Sequence, residues 1–240
     1  MKAQERHHLK ENEFAVRAAW VAEQVTTHRS RLFTIVGIVI AIGVIVLGYF
    51  YVQRRAADRA NTMLGSAFMI TQSPLVPAST MPGATQPPGT FPTEAARGEA
   101  AIAALQKVVD AYPSTETGTA ARYYLGATLL SIGRAPDAER AFADAIAKGG
   151  SSLYAEMAKL GQVEALAALQ RYDDAIKVLT DLSAQRTSRL PIDGVLMELA
   201  RVCRKAGKTQ EARAAFKRVV DEFPESTYAN EARTQLSTMG

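Results

Sequence analysis

Leu125–Ala145 reads LGATLLSIGRAPDAERAFADA, and the spacing of its small and aromatic residues decides the fold. Ala138 stands 37 residues after Ala101 and 37 before Ala175, which precedes Ala212 by the same interval. Four residues after each alanine comes a large apolar side chain: Leu105, Phe142, Leu179 and Phe216. A fixed period of this length marks stacked copies of one supersecondary unit. Each copy buries its apolar stripe against its neighbours, so the expected product is a solenoid. A helical solenoid offers a surface more readily than a reaction centre, and the functional question becomes one of partners.

Around that stretch, residues 94–240 alternate helix and turn signals and carry no strand signal, which predicts an all-α fold. Thr93-Glu94 opens a helix that ends near Tyr112-Pro113. Ser114 or Thr115 caps the next, which runs to Ile132-Gly133. Pro136 falls in a first helical turn, where its missing N–H costs nothing. Gly149-Gly150 ends that helix. The pattern continues through Tyr172-Asp173-Asp174, the Pro191 break and Gly207, and closes on a helix from Ser226 or Thr227 to about Leu236.

Upstream, Leu32–Val52 reads LFTIVGIVIAIGVIVLGYFYV, 21 residues without a charge. At ~1.5 Å per residue such a helix is ~31 Å long, one hydrocarbon core. The run exceeds the ~7–15 residues of a signal-peptide core, and GYFYVQRR offers no small-x-small exit, so an uncleaved signal anchor is expected. Arg17, Arg29 and Arg31 precede the span and Arg54, Arg55 and Arg59 follow it; Lys2, Arg6 and Lys10 tip the balance toward a cytoplasmic N-terminus. Gly37, Ala41 and Gly48 lie on one face of the span, where small residues let two backbones approach. The expected division is a tail over 1–31, the span over 32–52, a continuing helix over 53–73, a loop over 74–93 and the solenoid over 94–240. In the tail, Phe14, Ala18, Val21 and Val25, with Trp20, form a helical stripe that suits either a lipid surface or a docking partner. The loop holds Pro74, Pro77, Pro82, Pro87, Pro88 and Pro92, which exclude a helix or central strand and predict an extended, mobile segment.

The formal charge of +4 belongs to the first 93 residues; residues 94–240 carry 19 basic and 19 acidic side chains. The excess flanks the span, so it points to lipid headgroups and not to nucleic acid. The single cysteine, Cys203, excludes an internal disulfide and sits in an apolar helical pattern that suits a core thiol. His7, His8 and His28 all precede the span and provide no third ligand for a metal. Asp173-Asp174 and Asp221-Glu222 fall at helix ends and read as solvated surface. No catalytic, cofactor-binding or metal constellation emerges, and an enzyme is not expected.

Leu125-Gly126, Leu129, Gly133, Ala138, Phe142 and Ala145 resemble the tetratricopeptide (TPR) repeat signature. Gly207, Ala212, Phe216 and Pro224 match its second half, and Tyr172, Ala175 and Leu179 its middle copy. Glycine and alanine stand where two helices touch, and the aromatic fills the space beside them. The middle copy places Leu160-Gly161 two residues early, the last has Ala200 in place of the first-helix glycine, and the period exceeds the usual ~34. Leu64-Gly65 and Phe68 look like the first helix of a further, split copy. Its second helix, with Ala101 and Leu105, comes 24 residues late, across the Pro-rich loop. One split repeat, three whole repeats and a capping helix account for residues 58–240.

The plan of tail, span and TPR domain is similar to the ancillary SecYEG translocon subunits, whose TPR domain also resembles that of the cell-division coordinator. The resemblance implies an inner-membrane, single-pass protein with a periplasmic domain. Such a protein would act as a non-catalytic chaperone-like module that holds secreted clients or envelope proteins near the translocon. The alternative is a structural scaffold for cell division or outer-membrane assembly. It further implies that binding uses the inner face of each first helix: Tyr123 and Ala127, then Leu160 and Glu164, then Met197, Arg201, Arg204 and Lys205, the basic trio forming a clamp for an acidic segment. The expected partners are proteins and, through the span, membrane lipid.

Overall fold

The computed structural model describes residues 29–78, 85–185 and 189–239. The N-terminal stripe and the three histidines lie outside them. The described residues form α1 (Arg29–Thr71), α2 (Glu94–Ala111), α3 (Glu116–Ser131), α4 (Ala135–Gly149), α5 (Leu153–Ala168), α6 (Tyr172–Ala184), α7 (Ile192–Lys205), α8 (Thr209–Glu222) and α9 (Ala229–Thr238). No extended strand occurs among them; one isolated parallel bridge joins Leu75 to Phe91. The chain divides into two units, Met1–Ala56 and Ala57–Gly240.

In the first unit, α1 presents its apolar side chains outward, with Ile45 70% and Leu47 71% exposed. Gly37–Thr71 is long and apolar enough to cross a membrane. Tyr49, Phe50 and Tyr51 close the apolar run, and the Arg55 guanidinium lies 4.8 Å from the centre of the Tyr51 ring. Aromatic rings followed by arginine are the composition of a membrane–water interface.

In the second unit, the last part of α1 presents Ala60 and Ala67 as fully buried residues, with Met63 and Leu64 partly covered. A Cβ at Gly65 would meet nothing within 4 Å, so the close-packing role falls to the two alanines, one helical heptad apart, and not to Gly65 as the repeat signature implied. α1 ends before Pro74, whose ring disfavours helix at the preceding residue. The Pro-rich segment is pinned at both described ends, more than a free loop would be. Val76 N–H donates to the Phe91 carbonyl at 2.9 Å, and Phe91 N–H to that of Pro74 at 3.1 Å. The Gln86 side-chain amide donates to the Val76 carbonyl at 2.9 Å and to the Thr90 hydroxyl at 2.8 Å.

From α2 onward each helix packs against the next, and α3 also packs against α5. The repeat residues lie where the period placed them: Ala101, Ala138, Ala175 and Ala212 are fully buried, as are Leu105, Phe142, Leu179 and Phe216. Two apolar cores result. One gathers Ala67, Leu105, Val108, Leu125 and Phe142; the other gathers Leu166, Leu179, Leu196, Met197 and Phe216; α5 contributes to both.

The turns within the three whole repeats share one geometry. Gly133, Gln170 and Gly207, again 37 apart, have φ of 80°, 61° and 75°. The next residue donates its N–H five residues back at 2.8 Å in each case: Arg134 to Leu129, Arg171 to Leu166, Lys208 to Cys203. This is the bond pattern of a Schellman stop, which favours glycine at the left-handed position. The basic residue after it binds its own helix, Arg134 to Asp137 and Arg171 to Asp174 at 2.7 Å, Lys208 to Glu211 at 3.8 Å. It also reaches the second helix of the preceding repeat: Glu99 at 3.2 Å, Glu139 at 3.5 Å and Asp173 at 2.7 Å. A periodic ion-pair latch thus runs along the solenoid.

Arg122 on α3 is the largest fully buried side chain, 2% exposed. Its Nε–H donates to Asp144 on α4, and its Nη1 to the Pro113 carbonyl at 2.9 Å. Burial alone would raise the Asp144 carboxyl; hydrogen bonds from Arg122 and Lys148 outweigh it and hold the group below its usual range. A carboxylate lowered by folding stabilises the fold above its unfolded pKa and loses that contribution as pH falls through the lowered folded value.

Three substitutions are read in the full chain in neutral detergent, by urea or thermal unfolding followed by circular dichroism. Gln170→Gly is expected to stabilise by ~1 kcal/mol, and Gly207→Ala to destabilise by about as much, because only glycine occupies that φ without Cβ strain. Opposite signs would disprove the shared-turn geometry. Arg122→Ala is expected to cost ~3 kcal/mol at pH 7, since it empties a fully buried side-chain volume and leaves the Pro113 carbonyl without its donor. The gap from wild type should narrow as pH falls through the carboxylate range; a pH-independent gap would mean that Asp144 is not the coupled group.

Candidate protein-binding face

The first helices of successive repeats bring half-exposed rings together. Phe68 on α1 lies 5.5 Å from Tyr124 on α3, centre to centre. Tyr123 and Tyr124 are 5.2 Å apart, and Tyr154 on α5 lies 6.1 Å from the first and 6.0 Å from the second. Behind them, Phe142 lies 6.1 Å from Tyr123 and is itself buried. Adjacent aromatic residues at 123 and 124 reach both neighbours because successive helical positions point about 100° apart. Ring pairs at these separations take tilted or edge-on geometry, which adds to burial.

Burial raises the Tyr123 hydroxyl first, and the charge of Glu164 and then Tyr154 raises it further; burial and Tyr154 do the same for Tyr124. Both phenols therefore stay neutral hydrogen-bonding groups at physiological pH. Glu164 stands at the surface of α5, yet surrounding bulk and then the Glu198 charge on α7 raise its carboxyl. Ala127 and Leu160 are half-buried, the first against one core and the second against the other.

The expected residues on α7 differ. Met197 is fully buried within the second core and cannot touch a partner. Its place on the helix is right, but the core closes over it. Arg201 is engaged by α9: its Nη2 donates to both Glu231 carboxylate oxygens, at 2.8 and 2.9 Å. Arg204 donates to Gln235 on the same helix. Of the basic trio, Arg204 and Lys205 are exposed and neither forms an ion pair among the described residues; Arg204 has only the neutral Gln235 as partner. Two members of the expected clamp thus also fasten the capping helix, Arg201 through an ion pair and Arg204 through an amide. The ring row, Tyr124 and Tyr154 included, is the feature that sequence reading missed; the YY pair at 123–124 was its one visible sign.

Cys203 is buried, and its thiol is pushed up by burial and then by Glu211. Among the described residues no three His, Cys, Asp or Glu side chains converge as a metal site.

The tetratricopeptide repeat family model matches residues 94–155 and 160–227, more than half of the chain. Among solved structures, a kinesin-light-chain-type protein of Podosopora anserina with nearly identical TPR-like repeats aligns with TM-score 0.55 and 16% identity, over 75% of this chain and 85% of that one. A crystal structure of MamA aligns with TM-score 0.46 and 20% identity, over 60% of this chain and 82% of that one. No curated protein sequence matches significantly.

Removing the fastening should loosen one helix alone. Arg201→Ala with Glu231→Ala is expected to remove about 1 kcal/mol of solvent-screened pairing and to speed amide exchange in α9 about fivefold. Amides of α3 and α5 should not change, as measured by hydrogen-exchange mass spectrometry; unchanged exchange in α9 would show that apolar contacts hold it without the pair.

Proposed function

The chain belongs to the tetratricopeptide-repeat family, and on that premise we propose that it is a membrane-anchored scaffold that binds protein segments on its α3–α5 face. The observation that carries this reading is the row of half-exposed rings, Phe68, Tyr124, Tyr123 and Tyr154, contributed by the first helices of successive units. A buried core has no use for rings left open to water, whereas a binding surface draws its energy from rigid aromatic side chains of this kind. The outward-facing apolar run of α1 supports anchoring by one span. The basic residues of the tail support a cytoplasmic N-terminus and a periplasmic repeat domain. The resemblance to ancillary translocon subunits supports clients or envelope proteins held near the secretion channel. Nothing in this reading requires catalysis: the surface lowers the free energy of captured segments and leaves their covalent structure alone.

The reading is tested in intact membranes. A photocrosslinking residue at position 127, one helical turn beyond Tyr123 on α3, is expected to capture proteins. Tyr123→Ala with Tyr154→Ala should cut the yield at least tenfold, since each ring supplies ~1 kcal/mol or more. Many adducts would accord with client holding; one adduct in fixed stoichiometry would favour a structural scaffold of cell-division or outer-membrane assembly. Equal yields from the variant and the wild type would refute binding at this face. Reporters fused after residue 239 set the side of the membrane, and activity confined to a cytoplasm-active reporter would reverse the topology.

A further inference from the structure

The solenoid is joined unequally along its length. At the first whole repeat, Phe142 on α4 fills the space that two glycines leave: a Cβ at Gly126 on α3 or at Gly161 on α5 would strike its ring. α3 and α5 therefore pack directly on each other. One period on, Val163, Leu179 and Glu198 stand in the places of Gly126, Phe142 and Gly161. There α5 makes no comparable contact with α7, and it packs more extensively on α4 than on α6, its own partner in the repeat. The cores divide at the same helix. Ala158 and Ala165 of α5 face the first core and Val163 and Leu166 the second, to which the buried residues of α6 all belong. The α5–α6 turn is also the one whose left-handed residue is not glycine: Gln170 holds φ at 61°, where a Cβ is strained. Its latch is the longest of the three, Arg171 to Glu139 at 3.5 Å, against 3.2 Å at Arg134 and 2.7 Å at Lys208.

We propose that the solenoid bends at one built-in hinge, residues 169–171, which joins a stiff half ending with α5 to a second half formed by α6–α9. Where a ring interlocks with two glycines, the helices cannot shift without opening a densely packed interior. Where no ring interlocks, packed helices slide past one another in small steps about a turn that absorbs the change. Strain held in that turn is a mark of segments that switch. Every ring of the row lies on the first half, so the bend leaves the row intact. What changes is the distance from the rings to α7, where Arg204 and Lys205 are exposed. The groove thus has a fixed end and an adjustable one.

The test uses the full chain in neutral maltoside detergent, with Cys203→Ala and nitroxide pairs at exposed second-helix positions one period apart: 103, 140, 177 and 214. Double electron–electron resonance reads the distance distribution of each pair. The 140/177 distribution, which spans the hinge, is expected to be roughly twice as broad as those of 103/140 and 177/214, each of which lies within one half. Val163→Gly with Leu179→Phe, which rebuilds the ring-and-glycine contact inside the middle repeat, should narrow 140/177 to the width of the others. Phe142→Leu should broaden 103/140, and it decides alone if the rebuilt variant loses its helical circular dichroism. Equal widths for the three pairs without these changes would overturn the hinge. A 140/177 distribution that the folded, rebuilt variant leaves broad, or a 103/140 distribution indifferent to Phe142→Leu, would overturn its origin in the missing interlock.

Discussion

The solenoid depends on one ring held between two glycines. A Cβ at Gly126 would lie 2.7 Å from a Phe142 ring atom, and one at Gly161 only 2.4 Å. Neither separation leaves room for a side chain, so α3 and α5 approach the ring from two sides while α4 supplies it. This contact fixes the spacing between the first whole repeat and the next, and through it the position of Tyr123 and Tyr154. It also explains why Leu160-Gly161 comes two residues early in its own repeat: Gly161 serves the Phe142 of the preceding one. Interiors are packed to crystal-like density, so a methyl group here must displace helices.

Around that contact the stabilising interactions fall into a hierarchy. The buried alanines and large apolar residues provide most of the free energy, since removal of a core aromatic costs ~3–5 kcal/mol. The ion-pair latch at 134, 171 and 208 lies in solvent, where pairing is screened, and its contribution is one of direction: each basic residue ties the turn of one repeat to the second helix of the last. Arg122 differs from both. Its charge is taken out of water and matched by Asp144 and a backbone carbonyl, so it specifies how α3 meets α4.

How much of this was legible in the sequence depends on the dimension each feature occupies. The 37-residue period is one-dimensional, and it located the buried alanines, Phe142 and Phe216 and the helix turns. A helical face is also legible by spacing, which is why Tyr123 and Glu164 stand at the surface of adjacent first helices. What covers a face is not. Met197 has the right phase for binding and is buried because α6, α8 and α9 close around that end of the solenoid. Arg201 and Arg204 look free in a linear reading; their partners Glu231 and Gln235 lie 30 and 31 residues away on a helix whose orientation no local pattern dictates. The latch was hidden for the opposite reason. Its basic members repeat at the period, but their acidic partners, Glu99, Glu139 and Asp173, do not.

The bridge at Leu75 and Phe91 has a consequence for how the split repeat holds together. It shuts the excursion inside the split repeat close to where it leaves and rejoins the helices, with Gln86 as a second tie. The entropy of any segment enclosed beyond that seal grows only slowly with its length, by ~0.6 kcal/mol for each doubling. The register between α1 and α2 across this excursion is therefore held by residues at its two ends, Pro74, Val76, Gln86 and Phe91. A two-ended clasp thus does for the split repeat what a tight left-handed turn does for each whole one.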